Sequence, residues 1–92
     1  MTSVAVTARV TGHVQGVAFR TWARAEALRH GLSGWIRNEP DGSVRALLMG
    51  PASGVADMVR RMGRGPGAAS VKDVQTERTD PEPGVSGFRI VG

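Results

Sequence analysis

Apolar and polar residues alternate from Val4 to Val10, with Val4, Val6, Ala8 and Val10 on one side and Ala5, Thr7 and Arg9 on the other. A period of two predicts a half-buried strand. The alternation stops after Gly12, and from Phe19 to His30 the chain becomes Ala-rich, with Trp22, Ala23, Ala25, Ala27 and Leu28 among Arg24, Glu26 and Arg29. That is a helix, closed by Gly31 in the usual C-terminal position. Ser33 to Glu39 reads as a second strand, Pro40-Asp41-Gly42 as a turn, and Ser43 to Met49 as the returning strand of a hairpin, with Val44, Ala46 and Leu48 on one face. Strand parity puts Ile36 and Asn38 on one side and Trp35 and Arg37 on the other. Gly50-Pro51 breaks the strand, and Ser53 is the expected N-cap of a second helix whose Val55, Met58, Val59 and Met62 share one face. After a Gly63–Gly67 connector, Ser70 to Thr79 reads as a strand, Asp80 to Gly84 as a loop, and Val85 to Val91 as a short last strand with Phe88 and Ile90 in phase.

The order is β-α-β-β-α-β with a short extra C-terminal strand. It predicts an α+β, ferredoxin-like sandwich, two helices on one face of an antiparallel sheet. In such a sandwich the first strand can lie beside the hairpin, which would bring the end of the second strand near the Gly12–Arg20 loop. At 92 residues the chain is expected to form a single domain over residues 1–92.

Composition narrows the chemistry. Cys is absent, which excludes disulfides and thiolate metal sites and fits a cytoplasmic location. The longest unbroken hydrophobic stretch is Ala46 to Met49, too short to span a membrane, and MTSVAVTARV lacks the pattern of a signal peptide. Twelve basic against eight acidic residues give a formal charge of +4, which points to anionic ligands without naming them.

The segment GHVQGVAFR, Gly12 to Arg20, joins the first strand to the first helix. A helix start carries up to four unpaired N–H donors and a partial positive charge, so acidic residues usually occupy its first turn. Here no Asp or Glu lies between Arg9 and Ala25, while Arg9, Arg20 and Arg24 are all cationic. A bound anion would compensate, and phosphate suits a ring of amides ending in a planar guanidinium. Taken alone, Arg20 reads more simply as an exposed helix residue, and one glycine-rich loop is a weak signal. Asn38 in GWIRN, at the end of the second strand, supplies a second polar group. His13 reads as a loop histidine at the rim, Trp22 as a packing residue, and the methionines of the second helix as core filler.

Together, GHVQGVAFR and GLSGWIRNEPDG resemble the acylphosphatase family, and the likeness continues through GPGAASVKDV and FRIVG. The resemblance implies hydrolysis of acyl phosphates to a carboxylate and inorganic phosphate on a ferredoxin-like fold, with no metal and no cofactor. It places the family's phosphate-binding arginine on Arg20 and its water-positioning asparagine on Asn38. The phosphate loop falls on Gln15, Gly16, Val17, Ala18 and Phe19, acting through main-chain N–H groups. The implied partner is a small acyl phosphate, with no nucleic acid or membrane, and the protein is expected to be a monomer. Two positions depart from the family: Ala18 stands where many members have Gly, so a positive φ there would be strained, and Arg45 stands where an acid is common, on the outward phase of its strand.

The chemistry asks for little more. A carboxylate leaving group, with a conjugate acid of pKa about 4, needs no general acid. Phosphoryl transfer is chiefly a matter of holding charge and aligning the nucleophile. The competing readings are a non-catalytic anion- or RNA-binding module of the same architecture and an acyl-phosphate sensor with slow turnover. RNA-binding sheets usually carry stacking aromatics, and neither VAVTARV nor SVRALLM contains one.

Overall fold

A computed structural model of the chain describes residues 3–92. The first alternating run folds as β1 (Ser3–His13), followed by α1 (Phe19–Arg29), β2 (Ser33–Asn38), β3 (Val44–Pro51), α2 (Ala52–Arg64), β4 (Ser70–Arg78) and β5 (Phe88–Ile90). The five strands form one sheet in the order β4-β1-β3-β2-β5. The expected α+β ferredoxin-like arrangement is present. The β1–β3, β1–β4 and β2–β3 pairs are antiparallel, whereas the added strand β5 runs parallel to β2, so the sheet is mixed. Alternation fixes which side chains share a face but not strand direction, and this pairing was therefore invisible in the pattern.

The alternation predicts the core well. Val4, Ala8 and Val10 of β1, Ile36 of β2 and Val44, Ala46 and Leu48 of β3 meet Phe19, Ala23 and Ala27 of α1 and Val55, Met58 and Met62 of α2. The second helix begins at Ala52, directly after Pro51, with no side-chain cap, so Ser53 is not its N-cap. Pro51 is itself the N-cap residue, with φ −55° and ψ 138°, so the helix begins two residues earlier than a Ser53 cap would allow.

The face away from the helices is not wholly polar. Ala5, Leu47 and Met49 are buried there with Trp35 and Val85 against them. The loop between β4 and β5 covers this patch: Trp35 Nε1 donates to Glu82 Oε2 at 3.1 Å, and the Glu82 N–H approaches Met49 Sδ at 3.3 Å. Gly34 must be glycine, since its φ is 144° and a Cβ would collide with the Leu47 carbonyl. Close pairing of β2 on β3 depends on it, and that pairing sets where Asn38 ends up.

Candidate active site

β1 bends at a register shift between Thr11 and Gly12 and runs on to His13 before the chain turns into α1. The turn ends at Ala18, whose φ of 60° and ψ of 25° are left-handed. Ala18 is the non-glycine residue with positive φ among the described residues, so the strain expected at this departure from the family is present. The helix that follows has neither a side-chain cap nor an acidic residue in its first turn. Its first N–H groups are therefore left without helical or capping partners. Phe19 is buried and its ring lies 5.5 Å from that of Trp22, which anchors this helix start in the core.

The three arginines that the sequence groups together separate in space. Arg9 pairs with Asp41 at 2.7 Å on the open face of the sheet, and Arg24 Nε donates to the Phe88 carbonyl at 2.9 Å. Arg20 has no carboxylate in ion-pair reach among the described residues and instead lines a cavity of about 120 Å³. Gly16, Ala18 and Phe19 line the same cavity from the loop, and Asn38 lines it from the end of β2. The Oδ1 of Asn38 is buried with no hydrogen-bond partner among the described residues. A buried acceptor left unmade costs about 1–3 kcal/mol, so such an atom calls for a water or ligand.

Of the remaining loop residues, Val17 packs against the core, and Gln15 turns its side chain away to the β2–β3 turn. His13 is exposed and does not line the cavity, and Arg45 lies on the open face between Arg9 and Arg37 in register. Val14, Thr21 and Ile90 complete the cavity wall. The sequence reading missed these three. Ile90 could have been found as an in-phase apolar residue at the last strand's end, past the reach of the core, and it is 40% exposed. Trp22 and the two α2 methionines pack as expected.

A roomier cleft of about 270 Å³ lies beside His30, Asp57, Arg60, Arg61 and Arg64. Two of its cations are already paired, Arg60 with Asp57 and Arg61 with Glu26 at 3.5 Å, and helix C-termini favour such residues in any case. Among the described residues no three His, Cys, Asp or Glu side chains gather within reach of one metal ion. Among the described residues no helix is long and apolar enough to cross a membrane. The smaller cavity therefore stands out chemically: it combines an unpaired guanidinium, free amides at a helix start and an unpartnered carboxamide oxygen.

The family described as Acylphosphatase matches residues 6–90. A Rhizobium etli protein named acylphosphatase is 52% identical over 88 residues, spanning 96% of this chain and 94% of its own. Two solved structures superpose on nearly the whole fold. An acylphosphatase from Coxiella burnetii gives a TM-score of 0.92 at 30% identity, covering 97% of this chain and 93% of that one. The crystal structure of acylphosphatase from Bacillus subtilis gives 0.92 at 31% identity, covering 97% and 99%.

Proposed function

Because the chain belongs to the acylphosphatase family and is an acyl phosphate hydrolase, we propose the atoms that carry the reaction. Arg20 and the main-chain N–H groups of Gln15 to Phe19 hold the phosphoryl group, and Asn38 aims the attacking water. The observation that carries this reading is the single cavity shared by Arg20 and Asn38, with a buried and unpartnered Oδ1 on the latter.

The guanidinium fork and the helix-start amides stabilise the equatorial phosphoryl oxygens as charge spreads over them. A water donating a proton to Asn38 Oδ1 is held for in-line approach to phosphorus. As its oxygen bonds to phosphorus, the bond to the acyl oxygen breaks and the electron pair leaves on the carboxylate. The proton released by the water passes to a phosphoryl oxygen of the substrate, because Asn is neutral and Arg stays protonated. Neither step calls for a metal. Ordinary phosphate esters expel a far more basic alkoxide and are expected to be poor substrates.

A single domain over residues 1–92 acting as a cytoplasmic monomer belongs to the same reading. The one helix–sheet core and the family match from residue 6 to residue 90 support the single domain. Sedimentation of the purified chain tests its monomeric state.

The direct test uses benzoyl phosphate and acetyl phosphate with a chelator present, comparing wild type with Arg20→Ala and Asn38→Ala. Arg20→Ala is expected to lose inorganic phosphate binding and at least about 10³-fold in kcat/KM. Asn38→Ala is expected to keep phosphate affinity and lose at least about 10²-fold in kcat. Wild-type turnover in Asn38→Ala would remove the water-positioning role, and unchanged phosphate binding in Arg20→Ala would remove the anion site.

A further inference from the structure

We infer that the side chain of Gln15 is a positioning residue for the hydrolysis, fastening the phosphate loop to the strand end that carries Asn38. The inference rests on the roles proposed above for Arg20 and Asn38. It concerns a different part of Gln15 from the main-chain N–H, because it is the carboxamide that makes the connection.

Gln15 Nε2 donates to the Glu39 carbonyl at 2.8 Å and to the Ser43 carbonyl at 2.9 Å. Both acceptors belong to the β2–β3 turn. That turn is itself closed by Glu39 N–H donating to the Ser43 carbonyl at 2.8 Å and Gly42 N–H donating to the Glu39 carbonyl at 3.1 Å. Glu39 directly follows Asn38, so any slide of the turn against the loop moves the carboxamide relative to the phosphoryl site. The two groups that must act together otherwise lie on separate elements, Arg20 in the first turn of α1 and Asn38 at the end of β2.

The residue type fits this task closely. Two carbonyl oxygens facing one side chain are both met by the two N–H donors of a primary amide, which adds no charge. Glutamate at the position would set a carboxylate against both carbonyls, and lysine would add a cation beside the anion site. With both amide protons committed to the turn, Gln15 Nε2 has none left for a substrate. Its contribution is therefore to geometry, and a displacement of about 1 Å at a reacting centre can lower the rate about 10²-fold.

The test is a cycle of Gln15→Ala, Asn38→Ala and the double variant assayed with acetyl phosphate, together with inhibition by inorganic phosphate and thermal melting of each protein. Gln15→Ala is expected to lower kcat about 10- to 100-fold while the phosphate inhibition constant moves less than about threefold. In the Asn38→Ala background the same substitution is expected to change kcat less than about twofold, since there is no longer a carboxamide to aim. Gln15→Met, which keeps the shape and removes the donors, is expected to reproduce the loss with a melting temperature close to wild type, and it replaces Gln15→Ala in the cycle if that variant does not fold. Wild-type kcat in the Gln15 variants, or a full further loss in the Asn38→Ala background, would overturn the inference alone. Wild-type kcat in Asn38→Ala itself would remove the water-positioning role, and this inference with it.

Discussion

Arg24 of α1 reaches across to β5 and donates its Nε–H to the carbonyl of Phe88 at 2.9 Å. The last strand is only three residues long and pairs with β2 on one side alone, and this bond adds to that pairing and to the buried Phe88 ring in holding it. β5 in turn contributes Ile90 to the wall of the cavity that Arg20 and Asn38 share. The helix that presents Arg20 is thus tied to a strand on the other side of the cavity.

Arg24→Ala is expected to lower stability by about 1.5–3 kcal/mol, the range for a hydrogen bond from a charged donor. For a chain of this size that corresponds to roughly 4–8 °C in Tm per kcal/mol. Turnover of the folded variant with acetyl phosphate should stay within a few-fold of wild type, because Arg24 does not line the cavity. Arg24→Lys is not expected to restore Tm, since an ammonium lacks the fixed fork that places Nε at the carbonyl. Thermal melts beside steady-state rates check both statements, and a large rate loss at unchanged Tm would contradict them.

This division among arginines shows what the sequence could and could not convey. The lack of acidic residues around the helix start was legible, and so was the accumulation of positive charge. Which arginine remained unpaired was not, because the partners that occupy Arg9 and Arg24 stand 32 and 64 residues away. Faces of the strands were readable from alternation, and Asn38 and Ile36 were rightly placed on one side. The buried patch of Ala5, Leu47 and Met49 was unreadable for the opposite reason: a distant loop covers the outward phase of the strands. The double hydrogen bond of Gln15 was likewise hidden, since its acceptors are main-chain oxygens that every residue possesses.

Ala18 holds a left-handed φ of 60° immediately before α1. A Cβ in that conformation costs about 1–2 kcal/mol, against about 0.4–1 kcal/mol for the extra freedom glycine gives the unfolded chain. Ala18→Gly is therefore expected to raise Tm by about 2–5 °C. Ala18→Val, with a branched Cβ at the same φ, should lower Tm and raise KM, because Ala18 lines the cavity and its peptide would shift. A fall in Tm for the glycine variant would show that the loop is not strained there.

Ile90 is 40% exposed and lines the same cavity as Arg20 and Asn38. With the phosphoryl group seated as proposed above, an apolar side chain at that point would contact the acyl group. Ile90→Ala is expected to reduce kcat/KM for benzoyl phosphate about 5- to 10-fold, as befits about 1 kcal/mol of lost apolar contact, and to leave acetyl phosphate within about twofold. Equal losses on the two substrates would place the effect in the fold and not in acyl recognition.

Asp41 lies in the turn that follows β2 and Asn38, and its protonation should be visible in the acid stability of the protein. Its carboxylate accepts from the Ser43 hydroxyl at 2.6 Å and the Ser43 N–H at 2.9 Å, and pairs with Arg9 at 2.7 Å. The Ser43 hydroxyl first, then Arg9, hold this carboxyl well below the usual range. A folded pKa below the unfolded value means that the stabilisation is fully present above about pH 4 and is lost as pH falls through the folded value. Asp41→Asn keeps an oxygen for Ser43 but has no charge for Arg9. Its Tm is expected to lie below wild type by a constant margin from pH 5 to pH 7, and the two curves should converge as the pH drops below 4. Melts across that range check the sign: a gap that widened in acid would mean the carboxyl is raised by the fold, the reverse of what its three partners require.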